Sequence, residues 1–239
     1  MTLSLRFLAD YVYEKVFYDY TLRQWGLKPE EPDASVTVRV SVHISHEDRY
    51  FQDRYQAIPK HRYTALFRRM LSYPNIKILL NTDYREITGV VRFDRMIYTG
   101  PIDEFFDYMH GPLPYRSLLF EFVTLEEEWH QEVGTVNYPN KYNFTRITEQ
   151  KHLTGQRLPW TTLVVEYPRA YQPGENEPYY PIPREENRER YALYEREARK
   201  LKGTVLFAGR LADYKYYNMD QAVARALKLF EEHVVKEEG

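Results

Sequence analysis

Seven histidines, at 43, 46, 61, 110, 130, 152 and 233, are the chain's natural proton carriers and metal ligands. Only His43 and His46 stand close together, and no carboxylate pair completes a donor set around them, so a solvated face is expected there and metal ligation is not. Glu126-Glu127-Glu128 is an acidic run, but three consecutive side chains point in different directions, and a charged surface turn is the expectation. The ten glycines stand at 26, 89, 100, 111, 134, 155, 174, 203, 209 and 239, and none of them has the spacing of a G-x-G-x-x-G or P-loop turn. Without a backbone cradle, any phosphate must be met by forked guanidinium groups, which hold it at two points. The 23 tyrosines offer a flat apolar face with a hydroxyl at the tip, suited to sugar rings and phosphate oxygens, although most of them should simply pack a sheet. The absence of cysteine removes disulfides, thiolate catalysis and thiolate metal sites together, and it fits a reducing compartment, with the cytoplasm as the default.

Elements must hold these groups in place. At 239 residues and 43% hydrophobic content the chain can build one large core or two small ones. Lys+Arg 33 against Asp+Glu 35 gives a net charge of -2, so no global field draws in nucleic acid or an anionic membrane. No apolar run reaches the roughly 20 residues of a membrane span, and Met1 to Phe7 has no signal-peptide core. Leu5, Leu8, Val12 and Phe17 recur at helical spacing and Gly26 closes the segment, which predicts one amphipathic helix over 3–24. Leu27 to Asp33, with two prolines and three carboxylates, reads as an exposed loop able to act as a lid. A helix is predicted over about 60–71, with Tyr63, Leu66, Phe67 and Met70 as its buried stripe. Between Ile76 and Tyr167, β-rich runs at 76–80, 96–99, 117–123, 134–138, 145–150 and 162–167 favour an antiparallel sheet. A charged helix over about 185–201 precedes a buried strand at 204–208. Asn218 with Gln221 then opens a helix whose continuous face is Met219, Val223, Ala226, Leu227, Phe230 and Val234.

Several blocks in order resemble the UDP-galactopyranose mutases across nearly the whole chain. They are Tyr20-Thr21-Leu22-Arg23-Gln24-Trp25-Gly26, Tyr50-Phe51-Gln52-Asp53-Arg54-Tyr55-Gln56, Ile97-Tyr98-Thr99-Gly100-Pro101-Ile102-Asp103, Leu113 to Glu121 with Tyr115-Arg116-Ser117-Leu118, Glu177-Pro178-Tyr179-Tyr180-Pro181 and Gly209 to Tyr217. The resemblance implies an α+β fold: an antiparallel, six-stranded sheet domain with flanking helices, plus the C-terminal strand and helix of a Rossmann-like FAD domain. Residues 1–35 would end a helical domain and carry the lid loop, 36–200 would form the substrate domain, and 201–239 would return to the FAD domain. The amino-terminal third of the family pattern, with its glycine turn, has no counterpart here. A partial gene product or a truncated chain, incomplete and inactive by itself, is the expectation.

What the resemblance implies for function is the interconversion of UDP-galactopyranose and UDP-galactofuranose through a sugar adduct of reduced flavin, with FAD as cofactor and UDP-galactose as partner. The cofactor supplies the covalent chemistry while the protein positions the sugar and stabilises the leaving diphosphate. Association into a homodimer is compatible with it. Residue by residue, it nominates Arg39 and Arg146 as the catalytic arginines on the diphosphate, with Arg39 brought in by closure of the loop. Tyr20, Trp25, Tyr50, Asn137, Tyr180 and Tyr216 would contact substrate, and in each of the doublets Tyr179-Tyr180 and Tyr216-Tyr217 one ring should pack while the other faces the cleft. Glu166, Arg210, Asn218 and Met219 would lie on the flavin side. Asp19 and Arg62 stand where the family has glycine, and Asn218 where it has aspartate. The rival readings are a non-catalytic nucleotide-sugar-binding module and an inactive fragment.

Overall fold

The computed structural model describes residues 3–31, 46 and 53–235. It is an α+β protein in which a five-stranded antiparallel sheet carries helices on its flanks and a small parallel sheet lies beside it.

The first helical segment begins at Leu3–Val12, passes through a π-helical stretch at Tyr13–Tyr18 and ends as Asp19–Trp25. Gly26 stops it in the left-handed region at φ +68°, donating its amide to the Leu22 carbonyl at 2.9 Å. The early apolar positions Leu5 and Leu8 are exposed, whereas Thr21, Gln24 and Trp25 are buried, so only the last two turns dock on the body.

The large sheet has the order β3-β4-β5-β2-β6, from β2 (Tyr115–Leu125), β3 (Thr135–Asn137), β4 (Arg146–Glu149), β5 (Thr161–Ala170) and β6 (Tyr180–Pro181). That is five strands among the described residues, where the family pattern implied six. The long β2–β5 pairing runs from Arg116 opposite Ala170 to Leu125 opposite Thr161. Ile147, Leu163 and Val165 form one core with Val123, Leu125, Tyr138, Phe144 and Tyr167. A second, aromatic core joins Ile102, Leu113, Tyr115, Tyr194 and Tyr214. Tyr194 is fully buried there, accepting from the His110 amide at 3.0 Å and donating to the Gly111 carbonyl at 2.7 Å.

Four expectations need correction. Met96–Tyr98 (β1) pairs in parallel with Val205–Phe207 (β7) and forms a separate two-stranded sheet rather than a rung of the antiparallel one. Of the run at 204–208, only Leu206 and Ala208 are fully buried, packing on Leu229, while Phe207 leans on the aromatic core. Ile76–Leu80 does not form a strand: a β-rich run gains its stability from a paired neighbour, and no strand among the described residues pairs with this one. The helix Arg62–Met70 forms as the periodicity requires, yet none of its residues is buried, and Tyr63, Leu66, Phe67 and Met70 all face outward.

The charged helix Glu185–Lys200 and the C-terminal helix Met219–Phe230 match their predicted spans. Gln221 Oε1 accepts from the Asn218 amide at 2.9 Å, completing the start of the latter. Its Leu229 face is covered, whereas Met219, Val223, Leu227 and Phe230 are exposed. Among the described residues no helix is long and apolar enough to cross a membrane.

Candidate functional site

Strand register brings three of the nominated residues into one row. Asn137 on β3 lies opposite Arg146 on β4, which lies opposite Glu166 on β5. Directly paired residues share a face of the sheet, so the three side chains meet. Arg146 Nε donates to Asn137 Oδ1 at 3.0 Å and Nη1 reaches Glu166 Oε1 at 3.5 Å, and neither contact uses Nη2. Burial works against the Arg146 charge, but the Glu166 carboxylate and the phenols of Tyr20, Tyr180 and Tyr216 outweigh it and hold its pKa above the ordinary arginine value. Glu166 stands in mid-strand, since β5 continues to Ala170.

An aromatic wall stands beside this row. Tyr180 on β6 stacks on Tyr216 with ring centroids 5.3 Å apart and planes within 7°, and Trp25 tilts against Tyr180 at 6.0 Å. The Arg210 guanidinium lies 4.4 Å from the Tyr216 centroid and 5.4 Å from that of Tyr180. It also donates to the Tyr179 carbonyl at 3.2 Å and to the Tyr217 carbonyl. Both tyrosine doublets diverge: Tyr179 leans on Phe120, and the Tyr217 hydroxyl donates to Asp213. Burial, reinforced by Tyr216 and Glu166, raises the Tyr180 phenol well above its ordinary value, despite Arg146 and Arg210 pulling it down. The ring therefore keeps its proton at neutral pH and stays a hydrogen-bond donor.

Arg116 is the contact that residue-type reasoning missed. It lies opposite Tyr180 in the β2–β6 register and reaches the end of the Asp19–Trp25 helix, where Nε donates to Gln24 O and Nη2 to Arg23 O, both at 2.9 Å. Those are terminal helix carbonyls with no partner inside the helix. The fit is close, because a Cβ on Gly26 would stand 3.3 Å from Arg116 Nη1. Burial lowers the Arg116 pKa. The same helix is tied to the 139–142 loop by Arg23, which donates to the Pro139 and Tyr142 carbonyls, and by Asn140, which donates to Lys15 O at 3.0 Å. All of these bonds end on backbone carbonyls, which side-chain motifs do not advertise. The signal the sequence did carry was the place of Arg116 inside the Leu113 to Glu121 block.

Tyr20, Trp25, Asn137, Arg146, Glu166, Tyr180, Arg210 and Tyr216 are thus linked by direct contact or close electrostatics. Two guanidinium groups, those of Arg146 and Arg210, and one carboxylate, Glu166, act on the Tyr180 hydroxyl. Aromatic faces with an excess of fixed positive charge suit an anion that carries flat or ring-shaped groups. Met219 is exposed beside the Asn218 cap of the C-terminal helix. Arg39 and Tyr50 lie outside the described residues, as does His43; His46 is exposed. Glu126, Glu127 and Glu128 are exposed as a surface turn, and no cluster among the described residues could hold a metal ion. A separate cleft bordered by Thr99, Glu104, Tyr171 and Glu177 contains none of the nominated residues.

Comparison with known proteins bears on the same residues. The family model for UDP-galactopyranose mutase matches residues 15–216, a range that includes Tyr20, Trp25, Arg146, Tyr180 and Tyr216. The chain is 36% identical over 240 residues to a probable UDP-galactopyranose mutase of Klebsiella pneumoniae, covering 96% of this chain and 59% of that protein. It is 33% identical over 236 residues to a dTDP-fucopyranose mutase of Escherichia coli, covering 94% and 61%. A UDP-galactopyranose mutase of Mycoplasma genitalium is 33% identical over 238 residues, with 92% and 58% covered. The chain spans about three fifths of the length of these curated relatives. With a family model matched over most of its length, the chain belongs to the UDP-galactopyranose mutase family.

Proposed function

We propose that this chain supplies the sugar-nucleotide-recognition part of a mutase that interconverts UDP-galactopyranose and UDP-galactofuranose. The observation that carries the reading is the excess of guanidinium over carboxylate around Tyr180. The diphosphate would lie against Arg146, whose Nη2 is not used by Asn137 or Glu166. The Tyr180 hydroxyl would donate to a phosphate oxygen, and Trp25 and Tyr20 would border the base and the sugar. Arg39 and Tyr50 are proposed to join them from the far side. Residues 1–35, 36–200 and 201–239 are proposed as the end of a helical domain, the substrate domain and a returning strand and helix.

FAD is the cofactor we propose for the family reaction. The donor set fits one edge of a flavin: Arg210 offers a cation, the start of the Met219–Phe230 helix offers amide donors capped by Asn218, and exposed Met219 offers an apolar surface. When bound, the flavin supplies the covalent chemistry at the anomeric carbon. The chain's own part is to orient the sugar, hold the proton on Tyr180 and stabilise the diphosphate as it leaves. Excluding water from this charged wall would strengthen every one of those contacts.

Calorimetric titration with UDP, dTDP and free galactose tests the proposal. UDP should bind and bind less tightly as salt rises, while galactose alone should give no heat. Preference for dTDP would move the substrate class toward that of the Escherichia coli relative, and absence of binding by either nucleotide would overturn the reading.

A further inference from the structure

We infer that Asp213 is a positioning residue for the Arg210 and Tyr216 side of the candidate site, an inference that rests on the anion-binding reading above. Asp213 sits midway along the turn that carries both residues. Its carboxylate, only 14% exposed, accepts from the Gly209 amide at 3.1 Å, from the Tyr217 hydroxyl at 3.1 Å, and from Arg225 Nε and Nη2 at 3.0 and 3.1 Å. The two turn residues it anchors, Gly209 and Tyr217, are the chain neighbours of Arg210 and Tyr216. Arg225 Nη2 also donates to the Phe207 carbonyl at 2.9 Å, so the end of β7, the turn and the C-terminal helix meet at one node.

The turn needs such a node. It is closed by the Asp213 amide on Gly209 O at 2.8 Å and the Lys215 amide on Arg210 O at 3.0 Å, with Gly209 at φ +106° and Tyr214 at φ +44°. Left-handed backbone at a tyrosine persists only where its surroundings impose it. Because Arg210 donates to the Tyr217 carbonyl, any slip of Tyr217 carries the guanidinium with it and uncouples the cation from the Tyr216 face. Both carboxylate oxygens accept from these donors, and none of the four bonds comes from the Arg210 or Tyr216 side chains. The carboxylate's effect on a bound anion would run through the geometry of those two residues.

The test compares Arg225→Met and Arg225→Lys with the unmodified chain, by UDP titration and by amide hydrogen exchange read segment by segment. Arg225→Met should weaken UDP binding about tenfold and speed exchange within 209–217 while β4 and β5 stay protected; Arg225→Lys should keep affinity within about threefold. A scaffold role alone would lower the melting temperature and leave the affinity of the folded protein unchanged, and that result overturns the inference. If the unmodified chain binds no UDP, the proposed function fails, and the exchange measurement still decides positioning. Loss of protection confined to 209–217 supports it, and unchanged or uniformly faster exchange overturns it. Should Arg225→Met not fold, Asp213→Asn keeps the shape without the charge, with the same expected and contrary results.

Discussion

Replacing Arg116 by methionine should loosen the helix that carries Tyr20 and Trp25. The substitution removes two charge-assisted hydrogen bonds of 2.9 Å, to Gln24 O and Arg23 O, and strands two carbonyls that no helical amide can reach. A hydrogen bond to a charged group contributes about 1.5–3 kcal/mol. Arg116 is only partly buried, so water recovers some of that loss, and the variant escapes the desolvation that lowers the arginine's pKa. The net destabilisation should be about 2 kcal/mol, measured by urea unfolding. Arg116→Lys, which replaces a planar fork by a point charge, should lose roughly half as much. A local readout is available because Trp25 is 7% exposed, whereas Trp129 and Trp160 are 42% and 48% exposed. In a background with those two changed to phenylalanine, acrylamide should quench Trp25 far more efficiently in Arg116→Met. Unchanged unfolding together with unchanged quenching would refute the assignment of Arg116 as the clasp on this helix.

Arg62 occupies a left-handed backbone position at φ +66° with its side chain exposed, where an L residue is strained by about 1–2 kcal/mol. Glycine relieves the strain but gains freedom in the unfolded chain, so Arg62→Gly should stabilise by about 0.5–1 kcal/mol and raise the melting temperature by about 1–3 °C; a lower melting temperature would contradict this. Glu149 is fully buried, and its pKa is held below the ordinary value near 4.5: burial pushes it up, but Thr161 and the Gln131 and His130 amides outweigh that. A depressed carboxylate contributes stability above its unfolded-state pKa and loses it as pH falls through the folded value. Denaturant midpoints should therefore be insensitive to Glu149 from neutral pH to about pH 5, drop below that as pH falls toward the lowered folded value, and drop less in Glu149→Gln; equal pH dependence would contradict the assignment.

Much of the arrangement was legible where local signals agreed. Gly26 as a stop, the Asn218 and Gln221 cap and the charged 185–200 periodicity each carry their own geometry, and each element formed within a residue or two of its predicted bounds. Asn137, Arg146 and Glu166 could be nominated from the family resemblance, but their alignment in one row depends on strand register, which only pairing determines. Periodicity at 62–70 gave the helix correctly and its burial wrongly, because an apolar stripe says which side could be covered and not whether anything covers it. The run at 96–99 was read as antiparallel because its neighbours in sequence were; its partner, β7, lies more than 100 residues away along the chain. Arg116, Asp213 and Arg225 escaped notice as site residues since each acts through backbone or through another side chain. For Arg62 the departure from the family glycine was visible in the sequence, and the positive φ supplies its physical meaning.

The central claim, that the positive wall around Tyr180 receives the diphosphate of a sugar nucleotide, is tested most directly by titrating UDP into the unmodified chain and into Arg146→Ala. Losing a charged contact to phosphate should weaken binding by about 1.5–3 kcal/mol, roughly a ten- to hundredfold rise in Kd. Equal affinity in the two proteins would contradict the account.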